Sequence, residues 1–430
     1  MTIEALYQLY LQHPYVQTDT RKIREGELFF ALKGAHFNGN LFALEALQRG
    51  AAAAFVDEPV GNGNERIIQV PDVLTTLQDL AGYHRRQFSI PFLAITGSNG
   101  KTTTKELIHA VLSKKYRTYT TEGNLNNHIG IPLTILKVRP DAEMAVIEMG
   151  ANHQQEIAGY CRYTRPTHGL ITNVGKAHLE GFGGIEGVKK GKGELFDYIR
   201  KAGGTIFLNT DTLYLQEMSR GIANKFTYGT REGAVTGERV ESEPFLQVQI
   251  KSHPGIGAIR TRLVGDYNVP NVLAAVAVGV YFGVAEADIR NAIESYTPTN
   301  SRSQLLEIGS NHVILDAYNA NPSSMKLAIE NFARLHAPQK VLFLGAMAEL
   351  GAESEQEHKA LIDTLQHYPW HLVVLVGDAF AKIKHPFLQF SSSLEAANWL
   401  KSNPLKNCYL LIKGSRSTQM EQIMEALLAK

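Results

Sequence analysis

The chain has 430 residues, 44% of them hydrophobic, with 43 Lys and Arg set against 42 Asp and Glu. That apolar fraction excludes a disordered chain, the length accommodates about three domains of ~150 residues, and a net charge of +1 gives no electrostatic case for nucleic acid or an anionic membrane as main partner. Two distant cysteines, Cys161 and Cys408, exclude a disulfide framework and a cysteine zinc site, so a reducing, cytoplasmic setting is expected.

Residues 1–14 carry neither a basic region nor a long apolar run and read as no signal peptide. Residues 1–86 read as a small α/β domain: 28–32 is a compact strand stopped by Lys33-Gly34, Asn40 caps a helix over 41–49 that ends at Gly50, and 51–56 is a second strand. Residues 87–299 carry a longer alternation, with strands at 92–95, 145–148, 169–172 and 205–209 each fed by a helical segment. This predicts a mostly parallel sheet covered on both faces. Residues 267–285 lack charge, but their clean apolar run, 272–285, falls short of the ~20 residues of a membrane span, so a buried Ala-rich helix is expected and no membrane insertion. Residues 300–430 repeat the pattern with strands at 313–315, 340–344, 372–376 and 409–412, a third, Rossmann-like α/β domain.

Fourteen of the 37 glycines fall within residues 89–193, which points to close backbone approach to a ligand there. Ile95-Thr96-Gly97-Ser98-Asn99-Gly100-Lys101-Thr102-Thr103 follows a strand and opens a helix. Such a loop cradles phosphates with backbone N–H groups, a lysine charge and a hydroxyl for Mg²⁺, although its first Gly stands at 97 rather than at 95; the bland reading is an ordinary strand-to-helix turn. Glu148 ends the next strand at the same carboxyl edge, where a carboxylate suits Mg²⁺ or simply reaches solvent. The loop 173–184 is too glycine-rich for a helix and carries His178, a metal ligand or a surface histidine. Lys189, Lys190 and Lys192 form a basic cluster that reads by itself as a solvated helix face. Asn124, Asn126 and Asn127 lie in a polar loop that suits a polar ligand or plain turn chemistry.

Taken in order, T-G-S-N-G-K-T-T, E-G-N-L-N-N-H-I-G-I-P-L, I-E-M-G-A-N-H, A-H-L-E-G-F-G-G and G-K-G-E-L-F resemble the central domain of the Mur ligases. Asp19-Thr20-Arg21-Lys22 and 28–34 resemble the family's N-terminal domain. Residues 315–322, Met347-Ala348-Glu349-Leu350-Gly351 with His358, and Lys413-Gly414-Ser415-Arg416-Ser417 resemble its C-terminal domain. Within the family the closest pattern is that of the branch adding D-alanyl-D-alanine to a UDP-N-acetylmuramoyl-tripeptide through an acyl phosphate, in bacterial peptidoglycan synthesis.

That resemblance implies ATP phosphates at Gly97, Ser98, Asn99, Gly100, Lys101, Thr102 and Thr103, and two Mg²⁺ ions at Thr102, Glu148, His178 and a CO₂-derived carbamate on Lys192. Lys101, Glu148, His178 and Lys192 become the catalytic set. It further implies Asn268 and Asn271 at the adenine end, and Arg302 and Asp316 at phosphates and ribose. Asn124, Asn126 and Asn127 would meet the muramoyl group, Asp19, Thr20, Arg21, Lys22 and Lys33 the uridine diphosphate, and Lys413, Ser415 and Arg416 the entering dipeptide. Ser301 and Ala346 depart from the family's usual Gly and Asp. A monomer acting on small molecules is expected; the alternatives are another Mur-type or folylpolyglutamate-type amide ligase and a phosphate-loop nucleotide switch.

Overall fold

The computed structural model describes residues 1–60, 63–240, 243–299 and 302–428; Ser301 and the expected boundary residue 300 lie outside the described residues. Among the described residues three sheets of four or more strands organise the chain, with a two-stranded ribbon of Lys33–Gly34 and Phe37–Asn38 besides. In the first, Val16–Gln17, Leu28–Phe30, Ala53–Val56 and Ile67–Gln69 are neighbours in that order and all parallel. The Leu28–Phe30 strand is buried throughout, as a strand covered on both faces must be.

The helix expected from Asn40 starts differently. Asn38 caps a 3₁₀ turn, Gly39–Phe42, which runs into the helix Ala43–Gln48. Gly39 packs so tightly that a Cβ there would stand 2.4 Å from the Leu32 carbonyl oxygen, so the turn begins at that residue. Asn40 is buried inside it and exchanges two hydrogen bonds with Asp57.

The central sheet has nine strands in the order Ala258–Arg260, Gln247–Ile250, Val235–Val240, Asn224–Gly229, Thr205–Asn209, His168–Ile171, Phe92–Thr96, Met144–Glu148 and Thr118–Thr120. Only the pairings at the Ala258–Arg260 end are antiparallel. Five of these strands go beyond the sequence-based expectation, because they lie toward the two edges and interleave charged or polar residues with apolar ones. The Ala-rich helix spans Val269–Tyr281 and not 272–285: Pro270 is accommodated in its first turn, and Gly283 at φ +67° ends it. It packs on the helix Lys101–Leu112. The loop 173–184 is not helix-free either, since the buried Leu179 and Phe182 anchor a helical turn, Leu179–Phe182, between His178 and Gly183, both at positive φ.

The third sheet runs Gln304–Ile308, Asn311–Asp316, Tyr409–Lys413, Lys340–Gly345, Leu372–Val376 and Leu388–Phe390, parallel except for its first pair. Among the described residues no helix is long and apolar enough to cross a membrane. Phe92–Thr96, Met144–Glu148 and His168–Ile171 are parallel neighbours, so their carboxyl ends bring the phosphate loop, residues 149–152 and residues 172–173 to one edge.

Candidate active site

The phosphate loop is held by that neighbouring strand end. Ser98 N–H donates to the Asn173 carbonyl at 2.9 Å, Asn99 N–H to Asn173 Oδ1 at 3.0 Å, and Thr172 Oγ1 to the Asn99 carbonyl at 2.6 Å. Gly97 and Gly100 take φ of +142° and +77°. The helix that follows opens at Lys101, which leaves the N–H groups of its first turn without intrahelical partners, the arrangement that attracts phosphate. Lys101 curls back so that Nζ donates to the Gly97 carbonyl at 2.7 Å and to that of Ser98 at 3.3 Å. Burial pushes its ammonium down to about 8, against the pull of Glu148 and helped by Arg302.

Glu148 is 1% exposed. Its Oε1 accepts from Asn126 Nδ2 at 2.7 Å and from Thr102 Oγ1 at 3.2 Å, whereas Oε2 is buried with no hydrogen-bond partner among the described residues. An uncompensated carboxylate oxygen is costly to bury, and with the Thr102 hydroxyl beside it the pair fits a hard divalent cation. His178 lines the same cavity and its Nδ1 is engaged by Glu349; hydrogen bonding to the imidazole holds the Glu349 carboxyl below its usual range. Among the described residues no three His, Cys, Asp or Glu side chains form a ligand cluster, so phosphate oxygens would have to complete a Mg²⁺ shell.

Lys192 does not sit on a solvated face. It is 0% exposed on the helix Ile185–Ala202, with Nζ donating to the Ala151 carbonyl at 2.8 Å and lying 4.9 Å from the Phe182 ring centroid. Burial, then the Lys101 charge, lowers its amine well below the ordinary lysine value.

A cavity of about 440 Å³ lies between the phosphate loop and the third sheet. Asn126, Asn127, Asn268, Asn271, Arg302 and Asp316 all reach it, whereas Asn124 and Lys192 do not line it. Asn268 and Asn271 are buried and bound to each other at 2.8 Å, and Asn271 Oδ1 also accepts from Thr104 Oγ1 at 3.0 Å. Asn127 Oδ1 accepts from the Ile129 and Gly130 N–H groups at 3.1 and 2.9 Å, where the helix Gly130–Lys137 starts. Arg302 lies 3.8 Å over the Tyr318 ring centroid.

The group expected at the dipeptide entrance divides. Lys413 is buried, with Nζ 2.5 Å from Asp316 Oδ2, and lines the same cavity as Asp316. Ser415 is buried too and donates to the Ala346 carbonyl at 2.6 Å, so its hydroxyl is committed inside the fold. Arg416 alone of the three is exposed. In the first domain Asp19 caps the turn Thr20–Lys22 and pairs with Arg21, while Lys33 pairs with Asp57 at 3.0 Å. Lys22 borders a second cavity of about 510 Å³ against the helix Gly130–Lys137.

Three family models match the chain: the Mur ligase family catalytic domain over residues 15–85, the Mur ligase middle domain over 95–279 and the Mur ligase glutamate ligase domain over 301–416. The UDP-N-acetylmuramoyl-tripeptide–D-alanyl-D-alanine ligase of Bacillus subtilis (strain 168) is 35% identical, covering 96% of this chain and 93% of its own. The chain belongs to the Mur ligase family. The crystal structure of MurF from Acinetobacter baumannii matches this ligase at a TM-score of 0.89 and 31% identity, covering 100% of this chain and 99% of that one. MurF ligase from Thermotoga maritima, solved in complex with ADP, matches at 0.86 and 27% identity, covering 97% and 98%.

Other side chains shape the ligase's cavity without having been singled out from sequence. Lys105, 0% exposed, ties the phosphate-loop helix to the Asn loop by donating to the Thr121 carbonyl at 2.5 Å. Its signal was a lysine one helical turn after Lys101, on the face that carries Ile108 and Leu112. Asn321 reaches across from the third domain to Asn99 Oδ1 at 2.8 Å. Glu349, within the motif at residues 347–351, engages His178 Nδ1.

Proposed function

We propose that this ligase uses ATP to join D-alanyl-D-alanine to the terminal carboxylate of UDP-N-acetylmuramoyl-tripeptide, forming the pentapeptide precursor of bacterial peptidoglycan. The observation that carries the reading is one cavity shared by a phosphate loop, a buried acid with an unpartnered oxygen and the third domain. The relatives that bear this activity in their names match over nearly the full chain.

Hydroxide is a poor leaving group, so the substrate carboxylate must first take the γ-phosphoryl group of ATP as an acyl phosphate. The dipeptide amine then attacks the acyl carbon, phosphate departs and the amine loses a proton; ATP ends as ADP and phosphate. Lys101 and the first-turn N–H groups would hold the triphosphate and draw charge from the transferred group, which is positioning plus electrostatics. Thr102, Glu148 and His178, with Lys192 as a carbamate, would hold Mg²⁺, which supplies neutralisation of phosphoryl charge when bound. Burial lowers the pKa of the Lys192 amine, and the neutral amine is the form that combines with CO₂, releasing a proton and leaving two anionic oxygens. Asn268 and Asn271 would shape the adenine end, and Arg302 with Asp316 would reach phosphates and ribose. Asn124, Asn126 and Asn127 would meet the muramoyl group; Asp19, Thr20, Arg21, Lys22 and Lys33 the uridine diphosphate; and Lys413 and Arg416 the dipeptide entrance. Residues 1–86, 87–299 and 300–430 serve in this reading as sugar-nucleotide, ATP and acceptor domains of a cytoplasmic monomer.

An acceptor panel tests the reading. With ATP and the UDP-muramoyl tripeptide ending in diaminopimelate or in lysine, D-alanyl-D-alanine should stimulate phosphate release. Stimulation by glutamate or another single amino acid, and none by the dipeptide, would assign the chain to a different amide ligase; slow ATP hydrolysis indifferent to every acceptor would favour a switch.

A further inference from the structure

His178 and Glu349 meet across the seam between the central and third domains, with Nδ1 of the imidazole against a carboxylate oxygen. Both are non-glycine residues at positive φ, +53° and +60°, a strained conformation that persists only where surroundings over-determine it. Those surroundings are visible. Glu180 N–H donates to the Glu349 carbonyl at 3.2 Å, so the two segments are also joined through their backbones. On the Glu349 side, His358 fixes the turn: its Nδ1–H donates to the Ser354 carbonyl at 2.7 Å, leaving Nε2 to accept from Met347 N–H at 3.0 Å. Along the same seam Lys176 pairs with Glu357 at 2.5 Å and its N–H reaches Ser323 Oγ at 3.0 Å.

The chemistry of the His178 contact follows from its partner. An ionised carboxylate only accepts, so Nδ1 carries the hydrogen, and in the neutral ring Nε2 then keeps its lone pair. A histidine that binds a metal characteristically donates its other ring N–H to a carboxylate, which fixes tautomer and ring orientation. Here that carboxylate arrives from another domain. We propose that Glu349 is a positioning residue, which sets His178 as the Nδ1–H tautomer with Nε2 free for the cation, so that the metal site is completed only when the third domain is seated. The inference rests on the reading that His178 meets Mg²⁺.

The test uses the full chain with Mn²⁺ as probe and ADP present, and neither muramoyl substrate nor dipeptide, so that a negative result bears on Glu349 and not on the acceptor assignment. Glu349→Ala should weaken Mn²⁺ binding, read by electron paramagnetic resonance, by about 10- to 100-fold. It should also speed hydrogen exchange over residues 173–184 in the metal-free protein by roughly tenfold or more, the scale of losing a single well-made contact. Glu349→Gln still offers an oxygen to Nδ1–H and should recover most of the Mn²⁺ affinity. Lys176→Ala, which breaks an ion pair on the same seam but leaves Glu349 in place, should stay within a few-fold of wild type. Mn²⁺ affinity and exchange unchanged in Glu349→Ala would overturn the proposal, and so would a Lys176→Ala loss as large as that of Glu349→Ala.

Discussion

Oγ1 of Thr172 occupies the space that a side chain on Gly97 would need: a Cβ built there lies 2.0 Å away, with the backbone of Asn173 at 3.1 Å. Thr172 cannot yield, because the same oxygen donates to the Asn99 carbonyl inside the phosphate loop. Gly97→Ala should therefore displace the loop and reduce kcat/KM for ATP by about 100-fold or more, the scale of losing a positioned donor set. Gly183→Ala, also at positive φ but with nothing among the described residues within 4 Å of its Cβ, carries backbone strain alone and should remain within about tenfold. Steady-state phosphate release on the two variants decides it, and equal effects would refute the steric argument.

The unpartnered Oε2 of Glu148 separates folding from function. Replacing the acid by Gln keeps an oxygen for Thr102 and Asn126 and removes a buried charge, so Glu148→Gln should leave Tm unchanged or raise it by a few degrees, roughly what 1 kcal/mol delivers in a domain of this size. Turnover should fall by about 100-fold or more if that oxygen serves a cation. Thermal denaturation beside the ligase assay reads both; a Tm several degrees lower would mean the carboxylate serves the fold.

Local features of this site were legible in the sequence because their chemistry is local. The run from Thr96 to Thr103 carries its own strand, glycines and helix start, and Glu148 is marked by ending an apolar strand. The burial of Lys192 was legible in principle: Val188, Leu195, Phe196 and Ile199 make an apolar stripe on the helix Ile185–Ala202, and Lys192 falls on it while its neighbour Lys189 reaches out to Glu217 at 3.7 Å. What stayed hidden depends on contacts distant in sequence. Gly100 is small because Asn271 stands 2.7 Å from where its Cβ would be, and Glu349 meets His178 across a domain seam. The fate of Lys413 and Ser415 was equally non-local, since their partners Asp316 and Ala346 lie on other strands or loops of the third sheet.

For Lys192 the buried amine leads to a rescue experiment. An ammonium there could satisfy one N–H on Ala151, and a carbamate would instead present two oxygens. Lys192→Ala should lose about 100-fold or more in turnover, as removal of a charge-stabilising group does, and added formate or acetate should restore part of it. Native mass spectrometry should find one CO₂ on the wild-type chain under bicarbonate and none on the variant. Full activity of Lys192→Ala would reject the carbamate.

His84 makes the joint between the first and central domains sensitive to acid. The Val138 carbonyl only accepts, so Nε2–H donates to it at 2.8 Å, and Nδ1 accepts from the Tyr7 hydroxyl at 3.0 Å. Burial pushes the imidazole down to about 4, the Val138 bond opposes this and Arg139 adds to it. In the unfolded chain its value is the ordinary 6.5, so between pH 6.5 and 4 the unfolded state binds more protons than the folded one. Stability from this group is thus complete above pH 6.5 and is lost as pH falls toward 4. At pH 5 the loss should be about 2 kcal/mol, from the difference in proton uptake at that pH. His168, also held at about 4 by burial, adds a similar slope but is common to wild type and variant. Urea unfolding at pH 7.5 and pH 5.0 of wild type and His84→Gln should therefore show wild type losing about 2 kcal/mol more than the variant across that interval. Parallel losses in the two proteins would show that the imidazole takes up its proton without opening the joint.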